Sequence, residues 1–340
     1  MLASPLSERL DTLGDDDASP SGGSVSTVVT VPGTMLVSVD TTLDQDYDGG
    51  IMIGSSDVTL DCAGNTITGS GQQVGVAVFD VNDVTVFNCT VEGFEAGIVV
   101  INSQRSTIEG NTMTDSSLGV VVIESSEIAV VGNSVTTPDR GVQVINTRGS
   151  EITANESSGS AVGFDVIDAT DNTFAGNRSV GSDFSAFSLT NANSNVFEAN
   201  EIDSSHFGFV VTSSNDNTFD ANTVSRGFGW FSFGFQERSE GNLVTSNQVT
   251  GGGLAFKVYI GSARNTFSDN VASGAAKGVS IDSGCVGNVV ERNTVTGARE
   301  IGLEDTSRGG SGDLRTDNFY RDNQCRDNAT ASVPGGLCEL

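Results

Sequence analysis

Three stretches decide the fold: NTFAGN at 172–177, NVFEAN at 195–200 and NTFDAN at 217–222. Each follows the last by 22 or 23 residues and each reads N-x-F-x-x-N. NLVTSN (242–247), NTFSDN (265–270), NVVERN (288–293) and NFYRDN (318–323) continue the pattern. Toward the N-terminus it takes in Asn88, Asn111, Asn133 and Asn155, so asparagines from Asn88 to Asn293 recur every 22 to 25 residues. A second motif keeps step with it, as GVAV at Gly75, GIVV at Gly97, GVVV at Gly119, GVQV at Gly141, GFDV at Gly163 and onward to GVSI at Gly278. A fixed period of this length marks a repeat architecture.

Leucine-rich repeats have a similar length but need Leu at fixed offsets, and this chain has few. The segments are short, β-branched and alternately apolar and polar, divided by Gly, Asn, Ser and Asp, with no helical period. Two or three strands per 22–23 residues describe one coil of a parallel β-helix, with successive coils about 4.8 Å apart. The apolar residues should then stack inside in columns: Phe164, Phe187, Phe209, Phe231, Phe256; beside it Val166, Leu189, Val211, Phe233, Val258; and a third of Phe174, Phe197, Phe219, Phe267, Phe319. The recurrent Asn is expected to form an amide ladder at one turn, tolerating left-handed backbone. Of four N-x-[ST] sequences (Asn88, Asn155, Asn177, Asn328), the first three are expected to be ladder residues, leaving Asn328 as the credible glycan acceptor.

The 340 residues carry 44 acidic and 16 basic side chains, a formal charge of -28. Only Lys257 and Lys277 are lysines. A chain this acidic repels phosphate and has no basic stripe, which excludes nucleic acid as a partner. No apolar run reaches the roughly 18–20 residues that cross a bilayer. Lys depletion with acid excess resembles proteins of salt-loving microbes, and a halophilic archaeon is the expected source. Residues 1–24 are expected to be a disordered acidic leader, with no basic start and apolar stretch of a secretory signal. Residues 25–50 should form a cap, 51–323 the solenoid and 324–340 a C-terminal tail.

The stretches IMIGSSDVTLDCAGNTITG (51–69) and VNDVTVFNCTVEGFEAGIVVIN (81–102) resemble the opening coils of right-handed parallel β-helix proteins of the carbohydrate-binding and sugar-hydrolase type, including NosD-like copper-processing relatives. The likeness runs from about residue 30 to 323. It implies an all-β, right-handed parallel β-helix of about 10–11 coils. It leaves function open among lyases, hydrolases, epimerases, adhesins and tailspikes, so the site must decide. By the same likeness Cys62 and Cys89 lie in consecutive coils and are candidates to bridge them, Cys325 and Cys338 to pin the tail, with Cys285 left over. Disulfides would place the chain outside the cell or at its surface; small buried thiols are the alternative.

No CxxC or Cys/His cluster of metal-ligand spacing occurs, so no metal site is expected, calcium alone staying open on the carboxylate content. The sole histidine, His206, has no paired Asp or G-H-G around it, unlike the polygalacturonases of this shape. Asp165 and Lys257 share an outward column but are four coils apart, roughly 19 Å, too far to act together. Catalytic residues are therefore unassigned. One stretch departs from the scaffold: RGFGWFSFGFQER, where the period expands to 25. Trp230 stands where other coils have Gly or Ala (Gly163, Ala186, Gly208, Ala255, Gly278) and is expected to project outward. His206 lies one coil back, Lys257 and Tyr259 one coil on, and Glu237 and Arg238 nearby. An exposed aromatic among charged groups is how a sugar ring is stacked and held; packing of Trp230 over the longer loop is the alternative. The leading expectation is a carbohydrate-interacting module binding polysaccharide or cell-surface glycan there. A polysaccharide lyase, epimerase or hydrolase, a homotrimeric tailspike or adhesin stalk, and a NosD-like accessory in copper-site assembly are the other classes.

Overall fold

The computed structural model describes residues 33–71, 73–227, 229–307 and 316–339. The leader expected at 1–24 and the start of the expected cap lie outside the described residues. Among those described the ordered elements are strands, and no helix is long and apolar enough to cross a membrane.

Three parallel sheets of 14, 13 and 13 strands each take every third strand in sequence order. One coil thus contributes one strand to each sheet. In a central coil Val162–Ile167 enters the first, Thr173–Ala175 the second and Arg178–Val180 the third. This is the expected parallel β-helix, with 13 strands even in its shorter sheets rather than 10–11. The asparagine count starts at Asn88 and so misses the coils that run from Thr34 to Thr68. It also stops before the last coil, where 30 residues separate Asn293 from Asn323. Residues 33–50 supply the first coil, Thr34–Val37 pairing in register with Gly50–Ile53.

Period-2 alternation buries one residue per short strand, as Phe174 in Thr173–Ala175. Phe164, Phe187, Phe209, Phe233 and Phe256 stack with ring centroids 4.6, 4.7, 4.8 and 5.2 Å apart. Phe174, Phe197 and Phe219 stack across the cylinder at 4.9 and 5.1 Å, meeting the first column edge-on. Each phenyl so buried contributes about 1.5–3 kcal/mol. Two expected memberships are corrected. Phe233 and Phe235, not Phe231 and Phe233, occupy the inner columns of their coil. Tyr320, not Phe319, follows Val290 in the third column, and Phe319 is exposed.

The Phe231 correction has a local cause. Strand Phe207–Thr212 begins four residues after the preceding strand ends at Asp203, but Phe231–Gln236 begins six residues after Ser225. The two extra residues of the long coil precede the strand and shift its frame. Ser232 therefore stands in the Gly/Ala column, and Trp230 precedes the strand. That column also faces inward, not outward: a side chain at Gly97 would begin 2.6 Å from Met113 Cγ and 2.8 Å from the carbonyl oxygen of Gly119. A tryptophan has no room there.

The amide ladder forms at the turn between the second and third sheets. From Asn111 to Asn293 each ladder Asn donates Nδ2 to the Oδ1 of the Asn one coil on and to a carbonyl one coil back, as Asn177 does to Asn200 and Ile152. A second ladder, Asn172 through Asn318, occupies the turn between the first and second sheets. Asn88 is not a ladder residue. Cys89 takes that place, its backbone N–H donating to Asn111 Oδ1, while Asn88 is exposed at φ 55°. Asn328 is engaged instead, its Oδ1 accepting from the Ala298 N–H and its Nδ2 donating to the Val295 carbonyl. Disulfides join Cys62 to Cys89 across the second and third coils and Cys325 to Cys338 at the tail. Cys285 is free and buried, and burial pushes its thiol pKa up, which keeps it an unreactive packing residue.

Candidate functional site

The long strands of the first sheet make a face unlike the other two. Their pairing skips one residue, running Phe231↔Leu254 and then Phe233↔Phe256. The skipped position and the next one both turn inward, so the outward residues on either side lean toward one another. Val210, Phe231 and Leu254 are consequently buried in a cluster separate from the main core, with Phe207 and Tyr259 packed on it. A hydrophobic patch is thus built on the outside of the solenoid.

Aromatic rings extend this patch from coil to coil. Phe184 meets Phe207 edge-on at 5.5 Å, and Phe207 stacks on Phe231 at 4.6 Å. Phe231 lies 5.9 Å from Tyr259, and Trp230 lies 6.3 Å from Tyr259 and 6.4 Å from Phe231. In register, Tyr259 stands beside Gln236, six residues beyond Trp230, which along a straight strand is about 20 Å. The kink and the inward lean of both side chains bring the rings together. Trp230 is 59% exposed and Phe184 50%, so the ridge presents ring faces to solvent.

Four of the expected residues gather here. Trp230 and Tyr259 are in ring contact, His206 packs edge-on against Phe207 at 4.5 Å, and Lys257 follows Phe256 on the same strand. Glu237 and Arg238 sit in the turn beyond Gln236, both exposed and both with left-handed backbone. Glu237 is near enough for its charge to act on Tyr259. Burial, then Glu237, then Asp282 push the Tyr259 phenol up to about 12. His206 and Tyr259 lie two coils apart, with Phe207 and Phe231 between them, so they form no acid–base pair.

Beside the ridge lies a polar network. Lys257 Nζ, 7% exposed, donates to Ser280 Oγ at 3.1 Å and to Asp282 Oδ1 at 2.5 Å. Ser280 Oγ donates to Glu304 Oε2 at 2.9 Å, and Lys277 Nζ donates to the same oxygen at 2.6 Å. Burial pushes the Glu304 carboxyl up, but the bonds from Lys277 and Ser280 and the charge of Lys257 outweigh it, so its pKa is lowered. Three coils before the Trp230 ridge's centre, Arg140 Nε donates to the buried Asp165 at 2.7 Å and Gln143 to the same oxygen at 3.0 Å. The register keeps Asp165 and Lys257 four coils apart as expected. Lys277, Ser280, Asp282 and Glu304 escaped the sequence reading. The signal was there, since this network holds both lysines of the chain.

No group of three or more His, Cys, Asp or Glu side chains suited to a metal occurs among the described residues. Among the described residues the soft donors are dispersed: Met113 is in the core, Met35 packs on the core three coils earlier, Cys285 is buried far along the chain, and four cysteines are in disulfides. Among the described residues the donor set does not fit copper, and no convergent carboxylate set fits calcium.

A family model described as periplasmic copper-binding protein (NosD) matches residues 29–139, 60–228 and 117–258, well over half the chain. Among solved structures, the catalytic domain of a GH87 alpha-1,3-glucanase in complex with nigerose aligns over 95% of this chain and 69% of its own, at TM-score 0.61 and 12% identity. The A-module of the Azotobacter vinelandii mannuronan C-5 epimerase AlgE6 aligns over 88% and 87%, at TM-score 0.54 and 15% identity. At such identities the likeness is one of fold. No curated protein matches.

Proposed function

This chain belongs to the NosD family, and from that premise we propose that it is an extracellular or periplasmic carbohydrate-binding β-helix that holds a polysaccharide along the outer face of its long sheet. The observation that carries the reading is the external ridge of Phe184, Phe207, Phe231, Trp230 and Tyr259, in which rings of successive coils touch and two face solvent. Pyranose rings present C–H faces that stack on such aromatics while their hydroxyls bond polar neighbours. The disulfides agree with an oxidising compartment. The family's description names copper, but the dispersed donors give it no site here, and no step is routed through it.

The test is retention on immobilised polysaccharides. Wild-type chain is expected to be retarded on at least one polymer, and Trp230→Ala to weaken this by about tenfold, or about 1.4 kcal/mol. Equal retention of both proteins would remove Trp230 from the site. The Lys257–Ser280–Asp282–Glu304–Lys277 network favours a second reading, a glycan-cleaving or epimerising enzyme, because two carboxylates with two lysines on one face are the groups that proton transfer to sugars needs. New reducing ends or unsaturated products in the same incubations would establish it.

A further inference from the structure

We infer that the glycan this face takes is a neutral polysaccharide, not a uronate or other anionic polymer; the inference rests on the reading that the Trp230 ridge binds sugar. A polyanion is gripped by cations free to meet its carboxylates, usually through charge-assisted or bidentate bonds. Here both lysines and most of the arginines are already engaged. Lys257 is held by Asp282 and Lys277 by Glu304. Arg140 is held by Asp165 and Asp139 at 2.7 Å each. In the turn before a long strand, Arg226 is paired with Asp203, and on the neighbouring third sheet Arg178 lies 3.5 and 3.7 Å from Glu156 and Glu201. Arg299 donates to the carbonyls of Gly252 and Gly274. Arg238 is exposed and makes no ion pair among the described residues, but it adjoins Glu237, so that turn adds no net positive charge.

At each of the paired cations a uronate carboxylate would therefore have to displace a carboxylate the protein has placed there. In the case of Lys257 it would have to do so at a nitrogen that is almost fully covered. The field of the whole molecule acts in the same direction, since a formal charge of -28 repels a polyanion before contact. What the face offers instead is ring surface, the hydroxyl of Tyr259, and carboxylate oxygens such as those of the half-exposed Asp282 that accept from sugar hydroxyls. Five coil intervals separate Phe184 from Glu304, about 24 Å of outer face, which suits an extended chain of several units.

The experiment uses the full chain and two sets of probes: dextran, laminarin and xylan as neutral polymers, alginate and polygalacturonate as uronates. Retention is read at about 0.1 and about 2 M NaCl, because the higher salt shortens the screening length to a few ångströms and removes the general repulsion. The expected result is retention on a neutral polymer at both salts, about tenfold weaker in Trp230→Ala and partly restored in Trp230→Phe. Uronates should pass unretained even at high salt. Trp230-dependent retention of alginate or polygalacturonate at about 2 M NaCl would overturn the neutral assignment while leaving the glycan reading intact. Failure of every polymer to be retained at either salt would overturn the glycan reading itself, and this inference with it.

Discussion

Tyr259 links the ridge to its polar flank. Its phenol is raised to about 12 by burial, with Glu237 and Asp282 adding to the effect, against about 10 in an unfolded chain. A folded pKa above the unfolded one means that the associated stability is fully present below pH about 10 and is lost as pH rises toward 12. The phenolate absorbance difference between wild type and Tyr259→Phe is expected to have its midpoint near 12, and Glu237→Gln should lower it. A midpoint at the ordinary value would show that Tyr259 is not packed as described. Asn222 illustrates the scaffold at the same scale. It donates to Phe197 O at 2.8 Å and Asn247 Oδ1 at 2.9 Å, and accepts from the backbone and side-chain nitrogens of Asn200 at 3.0 and 2.9 Å. Asn222→Ala strands these partners in a fully buried turn, at about 1–3 kcal/mol for each group left unpaired. Chemical denaturation should register a loss on the order of 3 kcal/mol, and a loss well under 1 would mean that solvent replaces the amide. The repeat exposed this role in the sequence, whereas the one-residue offset that makes Cys89 rather than Asn88 the ladder's neighbour appears only in the coil-to-coil bonds.

A strand in this molecule is defined by its neighbours above and below. Phe209 sits between Phe187 at 4.7 Å and Phe233 at 4.8 Å, with Phe197 and Phe219 edge-on at 5.9 and 5.3 Å. Phe209→Ala should cost about 3–5 kcal/mol in denaturant unfolding, as buried aromatic truncations do. Phe231→Ala, on the outer cluster, should cost clearly less but should weaken glycan retention. If the two variants lost equal stability, the distinction between inner column and outer patch would fail. Periodicity made the inner columns readable wherever coils have 22 or 23 residues. It misplaced Trp230, Phe231 and Phe233 because an insertion of two residues preserves the alternation while moving the frame, and alternation alone cannot tell the two frames apart. The inward crowding of the Gly/Ala column decided between them.

For the whole molecule, a formal charge of -28 governs solution behaviour. Inter-coil pairs such as Arg105–Asp83 and Arg292–Asp269 are exposed, and pairs of that kind contribute little each. The excess of carboxylates repels itself, so NaCl should raise the midpoint of a cooperative melt as it screens the charge. A midpoint unchanged between about 0.1 and about 2 M would mean that self-repulsion is not limiting, and would count against a salt-adapted origin.

Resemblance marked both disulfide pairs as candidates, and the structure formed them; the sequence by itself determined the parallel β-helix, its period and the columns of its regular coils. These follow from requirements that every coil repeats: an inward apolar residue, a turn that tolerates left-handed backbone, and an amide to satisfy the turn above. The tertiary structure alone decided the ridge and its polar flank. Trp230 meets Tyr259 across a kink that no local pattern encodes, and Lys257 meets Ser280 and Asp282, 23 and 25 residues away. Such neighbours depend on where each coil absorbs its extra residues and on how far the long strands bend. Both are set by packing among coils, which a one-dimensional period does not contain.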